Sequence, residues 1–317
     1  MPTRTQLSLA LLAASLAFAS ACEQKSPAPS TATTTPTAPA PATDPAATNA
    51  GPEYLAIHTT LPKELLDAEG GKGAALSAAL AQHSPTFQRL LDATKRPDCD
   101  FGVDRSAGFD AMMPHLGKVR GIARALRADA ERALAAGDLD AAAQLASAMI
   151  RFARHINLRS ETIIEWLVAG AVGGMGAKFV TEHPQLAKAT WKTDIQQAIT
   201  EATPGDPFGL KRTLKAERAV AVRSLRENKV PDMSGMGGRN WKTVPQAERD
   251  QIANDLEKLW DRVLEAWDAP DAQAKLNALV READSSPMKG LLPAIDKVYK
   301  SVESLQSDFS AANAILR

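Results

Sequence analysis

Two cysteines and five histidines are the chain's whole supply of soft metal ligands and thiol nucleophiles. Four residues stand at a spacing that can gather them: Cys99, Asp100, His115 and His155. His115 lies 22 residues before Gly137 and His155 lies 18 after it. If the chain reverses at Gly137 between antiparallel helices, the two imidazoles differ by about four residues, roughly 6 Å at 1.5 Å per residue. "PDCDFGVD" (97–104) is close by in sequence, at the same open end. A thiolate, a carboxylate and two imidazoles can surround zinc, and a Cys/His couple can serve a metal- or cysteine-dependent hydrolase. The plainer reading is a buried free thiol and two partly exposed imidazoles, with no cofactor. No HExxH or Cys-x-x-Cys spacing occurs.

A second candidate is electrostatic. Arg120, Arg124 and Arg127 recur at four and three residues, one face of one helix. Glu131 ends the run one turn later. Between Pro114 and Ser160, Lys118 and seven arginines outnumber the acidic residues by four, although lysines plus arginines equal acids over the whole chain at 37 each. Such a face can bind phosphate, anionic lipid headgroups or an acidic partner; the alternative is a solvated surface. No aromatics interleave with the arginines and the chain is neutral overall, which argues against nucleic acid. "SPMK" (286–289), "DFG" (100–102) and "GGKG" (70–73) resemble catalytic or phosphate-binding fragments but lack the partner motifs each chemistry needs.

The elements that must carry these residues are helical. Leu116, Val119, Ala123, Leu126 and Ala130 form one stripe, "AAGDLD" breaks it, and Leu139, Ala142, Leu145, Met149 and Phe152 form a second. Locally this resembles a tetratricopeptide hairpin, without a recurring 34-residue repeat. "ETIIEWLVAGAVGGMGAKFV" (161–180) is apolar almost all round, and its four glycines predict a central helix approached closely by neighbours. Ile252, Leu256, Leu259, Trp260, Val263, Leu264 and Trp267 predict another buried stripe, as do Ile295, Val298, Val302, Leu305, Phe309 and Ala312. Ser84, Asp206, Thr243 and Ser286 are the expected N-caps. The predicted fold is all-α, an irregular helical bundle or short α-solenoid.

The N-terminus speaks of destination. Arg4, an uncharged apolar run and Ala19-Ser20-Ala21 predict a signal peptide over 1–21. With Cys22 next, the segment resembles a bacterial lipobox, which implies lipidation of Cys22 and a membrane anchor facing the periplasm or exterior; plain secretion is the alternative. From Ser26 to Ala50 the chain is largely Pro, Ala, Thr and Ser, so 22–59 is expected to be a disordered spacer. A helical domain is expected over 60–228 and a C-terminal helical subdomain over 243–317, divided by the glycine-rich stretch between Lys229 and Trp241. "CDFGVDRSAGFDAMMPHLGKVRGIARALRADAERALAAGDLDAAAQLASAMIRFARHI" (99–156) is similar to a segment of uncharacterised exported helical proteins of planctomycete-like bacteria. That resemblance implies one structural unit and no activity. The functional expectation is an exported, lipid-anchored binding or scaffold protein, its partner an envelope protein or anionic headgroups.

Overall fold

Apolar residues three and four apart become buried helix faces throughout the computed structural model, which describes residues 48–68, 73–106, 108, 113–203, 205–230 and 240–317. The expected signal peptide, Cys22 and the spacer as far as residue 47 lie outside the described residues, as does 231–239. The described chain runs α1 (Gly51–Thr60), α2 (Lys63–Leu66), α3 (Ala74–Gln82), α4 (Ser84–Ala93), α5 (His115–Ala135), α6 (Leu139–Leu158), α7 (Ile163–Glu182), α8 (Lys192–Glu201), α9 (Leu210–Arg226), α10 (Gln246–Trp267), α11 (Ala272–Asp284) and α12 (Ile295–Leu316). Among the described residues there is no strand, only one isolated parallel bridge between Asn49 and Asp98.

Helix α7 is the axis. It packs against α6 on one side and α12 on another, with α5 and α9 also in contact. It is long and apolar enough to cross a membrane, but most of it is covered by these neighbours. Gly173 and Gly176 explain how α6 comes so near. A Cβ on Gly176 would lie 2.9 Å from Ile150 Cγ1, and one on Gly173 would lie 2.5 Å from the Phe208 ring. Phe208 holds that position at φ 57°, a left-handed conformation that costs an L-residue about 1–2 kcal/mol. Its buried ring, edge-on to Phe309 at 5.9 Å, offsets the cost.

Around this axis, α5 and α6 form the expected hairpin, with Asp138 accepting from the Ala141 N–H to cap α6. Helices α1 and α2 lie on α5, α8 lies on α6, and α10 lies on α9. The chain then returns through α11 to α12, which packs on the axis. A solenoid repeat touches only its sequence neighbours. The return of α12 to α7 therefore makes this a bundle. Trp260 and Trp267 are core residues, the latter edge-on to Tyr299 at 5.2 Å.

Several local expectations need correction. The spacer does not reach residue 59: α1 begins at Gly51 and buries Tyr54 and Ile57 completely. The entering segment is bolted to 96–100 by five hydrogen bonds. Ala50 N–H donates to the Asp98 carbonyl, Asp98 N–H to the Thr48 carbonyl and Arg96 to the Asn49 carbonyl. The Asn49 side chain donates to the Asp100 carbonyl and accepts the Asp100 N–H. A Cβ on Gly51 would fall 2.0 Å from the Asp100 carbonyl oxygen, so this seam admits only glycine there. Ser84 is already helical rather than a cap, and Thr243 lies in a short 3₁₀ turn ahead of α10. Ser286 accepts from Met288 N–H in a turn that starts no helix. The capping box is instead at Thr162 and Glu165, opening α7.

Candidate functional site

The open end of the α5–α6 hairpin brings both predicted histidines to one aromatic cluster but assigns them separate partners. His155, fully buried near the end of α6, has both ring nitrogens engaged. Nε2 lies 2.9 Å from the Arg96 carbonyl oxygen, which can only accept, so Nε2 carries the proton. Nδ1 is then a bare acceptor and takes the Tyr54 hydroxyl at 2.7 Å. Burial, aided by Arg154, lowers the His155 pKa to about 4, in keeping with a neutral ring. Neither nitrogen is left for a metal or for a proton from Cys99.

Cys99 is buried, and burial followed by the charges of Asp98 and Asp100 pushes its thiol well up. A thiol so placed is a packing residue, not a ready nucleophile. Asp100 accepts the Gly102 N–H and faces Arg159 at 3.7 Å, while Asp98 pairs with Arg159 through both oxygens. Cys99, Asp100, His115 and His155 thus share one end of the bundle without their ligand atoms converging on a common point. The group of His, Cys and acidic side chains that does converge among the described residues is Glu131, Glu182 and His183.

His115 opens α5 and stacks on Phe101 at 4.8 Å; Phe101 in turn faces Tyr54 at 6.2 Å. Its ring is shielded from solvent, and neither nitrogen has a hydrogen-bond partner. Nε2 is 3.6 Å from Glu165 Oε1. Burial drives the His115 pKa down to about 4, Arg105 and Lys118 reinforcing and Glu165 opposing.

Glu165 is the hub of this end. Its two oxygens accept a fork from Arg105 at 2.8 and 3.0 Å. Oε2 also takes the N–H groups of Glu161 and Thr162 and the Thr162 hydroxyl. Beside it, Glu217 reaches from α9 to accept the Ile163 N–H at 2.9 Å. Two buried carboxyl groups therefore satisfy the first amide of α7 and the two that lead into it, where a helix N-terminus favours negative charge. Burial raises the Glu217 pKa to about 7, the neighbouring Glu165 adding to it, so this group exchanges its proton near neutrality. A neutral imidazole, a carboxylate forked by Arg105 and a carboxyl raised toward neutrality thus lie together in the interior, with no hydrogen bond linking the three to one another.

The arginine face fares differently from expectation. Arg127 is held by Glu131 at 2.9 Å and Glu182 at 2.5 Å and lies 5.0 Å over the Phe179 ring. Arg124 donates to the Leu66 carbonyl and pairs with Asp67 at 3.4 Å. Arg120 is half-buried beside Arg124, and burial lowers its pKa. Arg151 grips Asp194 through two bonds and also reaches Glu201. The local excess of positive charge is thus met by Asp67, Asp98, Glu182, Asp194 and Glu201, all outside the 114–160 segment. Arg127 and Arg124 are internal ties, not an open anion face.

Glu165, Glu217, Arg105 and Tyr54 were not singled out by sequence. Glu217 had a readable signal: Leu210, Leu214, Glu217, Ala221 and Ser224 recur on one helical face, placing a carboxyl in the buried stripe. No family model, curated protein or solved structure matches the chain.

Proposed function

We propose that this chain is an exported, lipid-anchored helical binding protein of the bacterial envelope. The observation that carries the reading is the order Arg4, uncharged apolar run, Ala19-Ser20-Ala21-Cys22, then a Pro/Ala/Thr-rich stretch leading into a helical body. Acylation of Cys22 would fix the chain to a membrane, since two acyl chains already anchor stably. A Pro/Ala/Thr-rich stretch the length of 23–47 would span up to about 80 Å at 3.1 Å per residue if extended as polyproline. The helical body supports a binding role in two ways. Three of its interior polar pairs are committed to each other: Arg105 with Glu165, Tyr54 with His155, Arg151 with Asp194. Its surface carries an open groove of about 320 Å³ along α9, lined by Arg218, Arg223, Arg226 and Glu257 over Ala219 and Val222. Charges of both signs over an apolar floor suit a protein partner within reach of the tether.

The test is the intact mass of the mature protein from bacterial membranes beside a Cys22→Ala variant. The expected result is acyl chains on Cys22 and release of the variant into the soluble fraction. An unmodified chain, soluble with or without Cys22, would overturn the reading.

A further inference from the structure

At the turn end of the hairpin, opposite the His115 cluster, three side chains from two helices converge. Glu131 comes from the last turns of α5; Glu182 closes α7 and His183 is its C-cap. One ligand atom from each lies within 4.8 Å of the other two. We propose that Glu131, Glu182 and His183 bind a divalent transition-metal cation of the zinc class, with water completing its coordination.

Four observations carry the assignment. The first is spacing. Glu131 Oε2 and His183 Nε2 are 3.4 Å apart. Ligands at 2.0–2.2 Å from a tetrahedral ion stand about 3.3 to 3.6 Å from each other, so this pair already has the separation of one edge of such a centre. The second is that His183 Nε2 is shut off from solvent and, although it faces Glu131 Oε2 at 3.4 Å, makes no hydrogen bond, while its ring is held against Phe179 at 4.7 Å. A buried polar atom left this way calls for a ligand.

The third is the outer shell. Arg127 donates through Nε and a terminal nitrogen to Glu131 Oε1, and through a terminal nitrogen to Glu182 Oε2. Each carboxylate keeps a second oxygen outside the Arg127 bonds, and on Glu131 it is the one that faces His183 Nε2. Outer partners that orient ligands in this manner are a regular part of metal sites. The guanidinium charge also repels a cation, so it sets the affinity below that of a site without it. The fourth is the position at the C-terminal end of α7, where the helix dipole favours positive charge. The ligand set, one imidazole and two carboxylates with open positions, fits zinc and its first-row neighbours better than magnesium or calcium, which prefer oxygen alone.

The experiment is a titration of the full chain with Zn²⁺ alone, in a Cys22→Ala background so that its thiol cannot compete. The expected result is one equivalent bound, with affinity falling at least about tenfold in His183→Ala and in Glu182→Gln. Melting midpoints without metal show whether each variant is folded, and the exposed Glu182 keeps the test open if His183→Ala does not fold. With Co²⁺ in place of Zn²⁺, the visible bands of the wild type should shift on removal of the His183 nitrogen. Wild-type protein that takes up no Zn²⁺, or folded variants that bind as tightly as wild type, would overturn the assignment.

Discussion

Replacing Glu217 with glutamine tests whether a buried carboxyl near the start of α7 titrates at neutral pH. The side chain is 8% exposed, and one oxygen accepts the Ile163 N–H. Its pKa stands at about 7 in the folded chain against an ordinary 4.5. At 1.36 kcal/mol per unit, that difference corresponds to about 3 kcal/mol. The folded state holds the proton more tightly, so between pH 4.5 and 7 it binds more protons than the unfolded chain. Stability from this group is complete below pH 4.5, falls as pH rises through 7, and is absent above it. Glutamine keeps the acceptor and never ionises. The two proteins should therefore be equally stable at pH 5, within about 1 kcal/mol, and the variant should be about 3 kcal/mol more stable at pH 9. Urea unfolding of the full chain at pH 5, 7 and 9, followed by the fluorescence of buried Trp166, Trp241 and Trp260, reads the gap directly. His115 titrates with the opposite sign in both proteins, its depressed pKa of about 4 removing stability as pH falls below 6.5, and cancels in the comparison. A gap that does not widen between pH 5 and pH 9 refutes the argument.

Tyr54→Phe removes the hydroxyl that donates to His155 Nδ1 and should cost about 1–3 kcal/mol at pH 7 by chemical denaturation; an unchanged midpoint would mean that the nitrogen finds another donor. Gly173→Ala forces the ring of Phe208, held at positive φ, to move, and should destabilise by about 1–3 kcal/mol despite alanine's better helix propensity. The control is Gly117→Ala on the exposed side of α5, where nothing lies within 4 Å of the new methyl and a gain of up to about 1 kcal/mol is expected. Thermal melts that rank the two alanine variants the other way would contradict the close approach of Phe208 and α6 to the axis.

Much of the architecture was legible because it is local. The stripes from Leu116 to Ala130 and from Ile252 to Trp267 name faces that are in fact buried, and the glycines of α7 marked where neighbours come close. What failed to show was non-local. Counting charges between 114 and 160 found an unbalanced basic segment, because Asp98, Asp194 and Glu182 arrive from elsewhere in the chain. The reach of the spacer was overdrawn because the Pro/Ala/Thr composition gives way to Tyr54 and Ile57 only a few residues later, too short a run for periodicity to register. His115 and His155 were placed at one end by helix arithmetic. Their partners, Glu165 across a turn and Tyr54 from a helix not yet foreseen, lay beyond it. Caps were misplaced where a serine or threonine preceded a helix but the backbone turned in 3₁₀ or loop geometry, as at Thr243 and Ser286.

The seam where the chain enters the bundle also has a mechanical meaning. Residues 48–50 lie parallel to 98–100, and their hydrogen bonds run across the direction in which the preceding chain would pull. A force applied from the N-terminal side therefore loads the Ala50, Asp98, Asn49 and Arg96 contacts together, in shear, rather than opening them one after another like a zipper. Behind them, Tyr54 is plugged into the interior by its bond to His155, so α1 cannot slide without extracting a buried aromatic. Under the anchoring proposed above, the seam would be the first part of the bundle to bear tension, ahead of the axis helix.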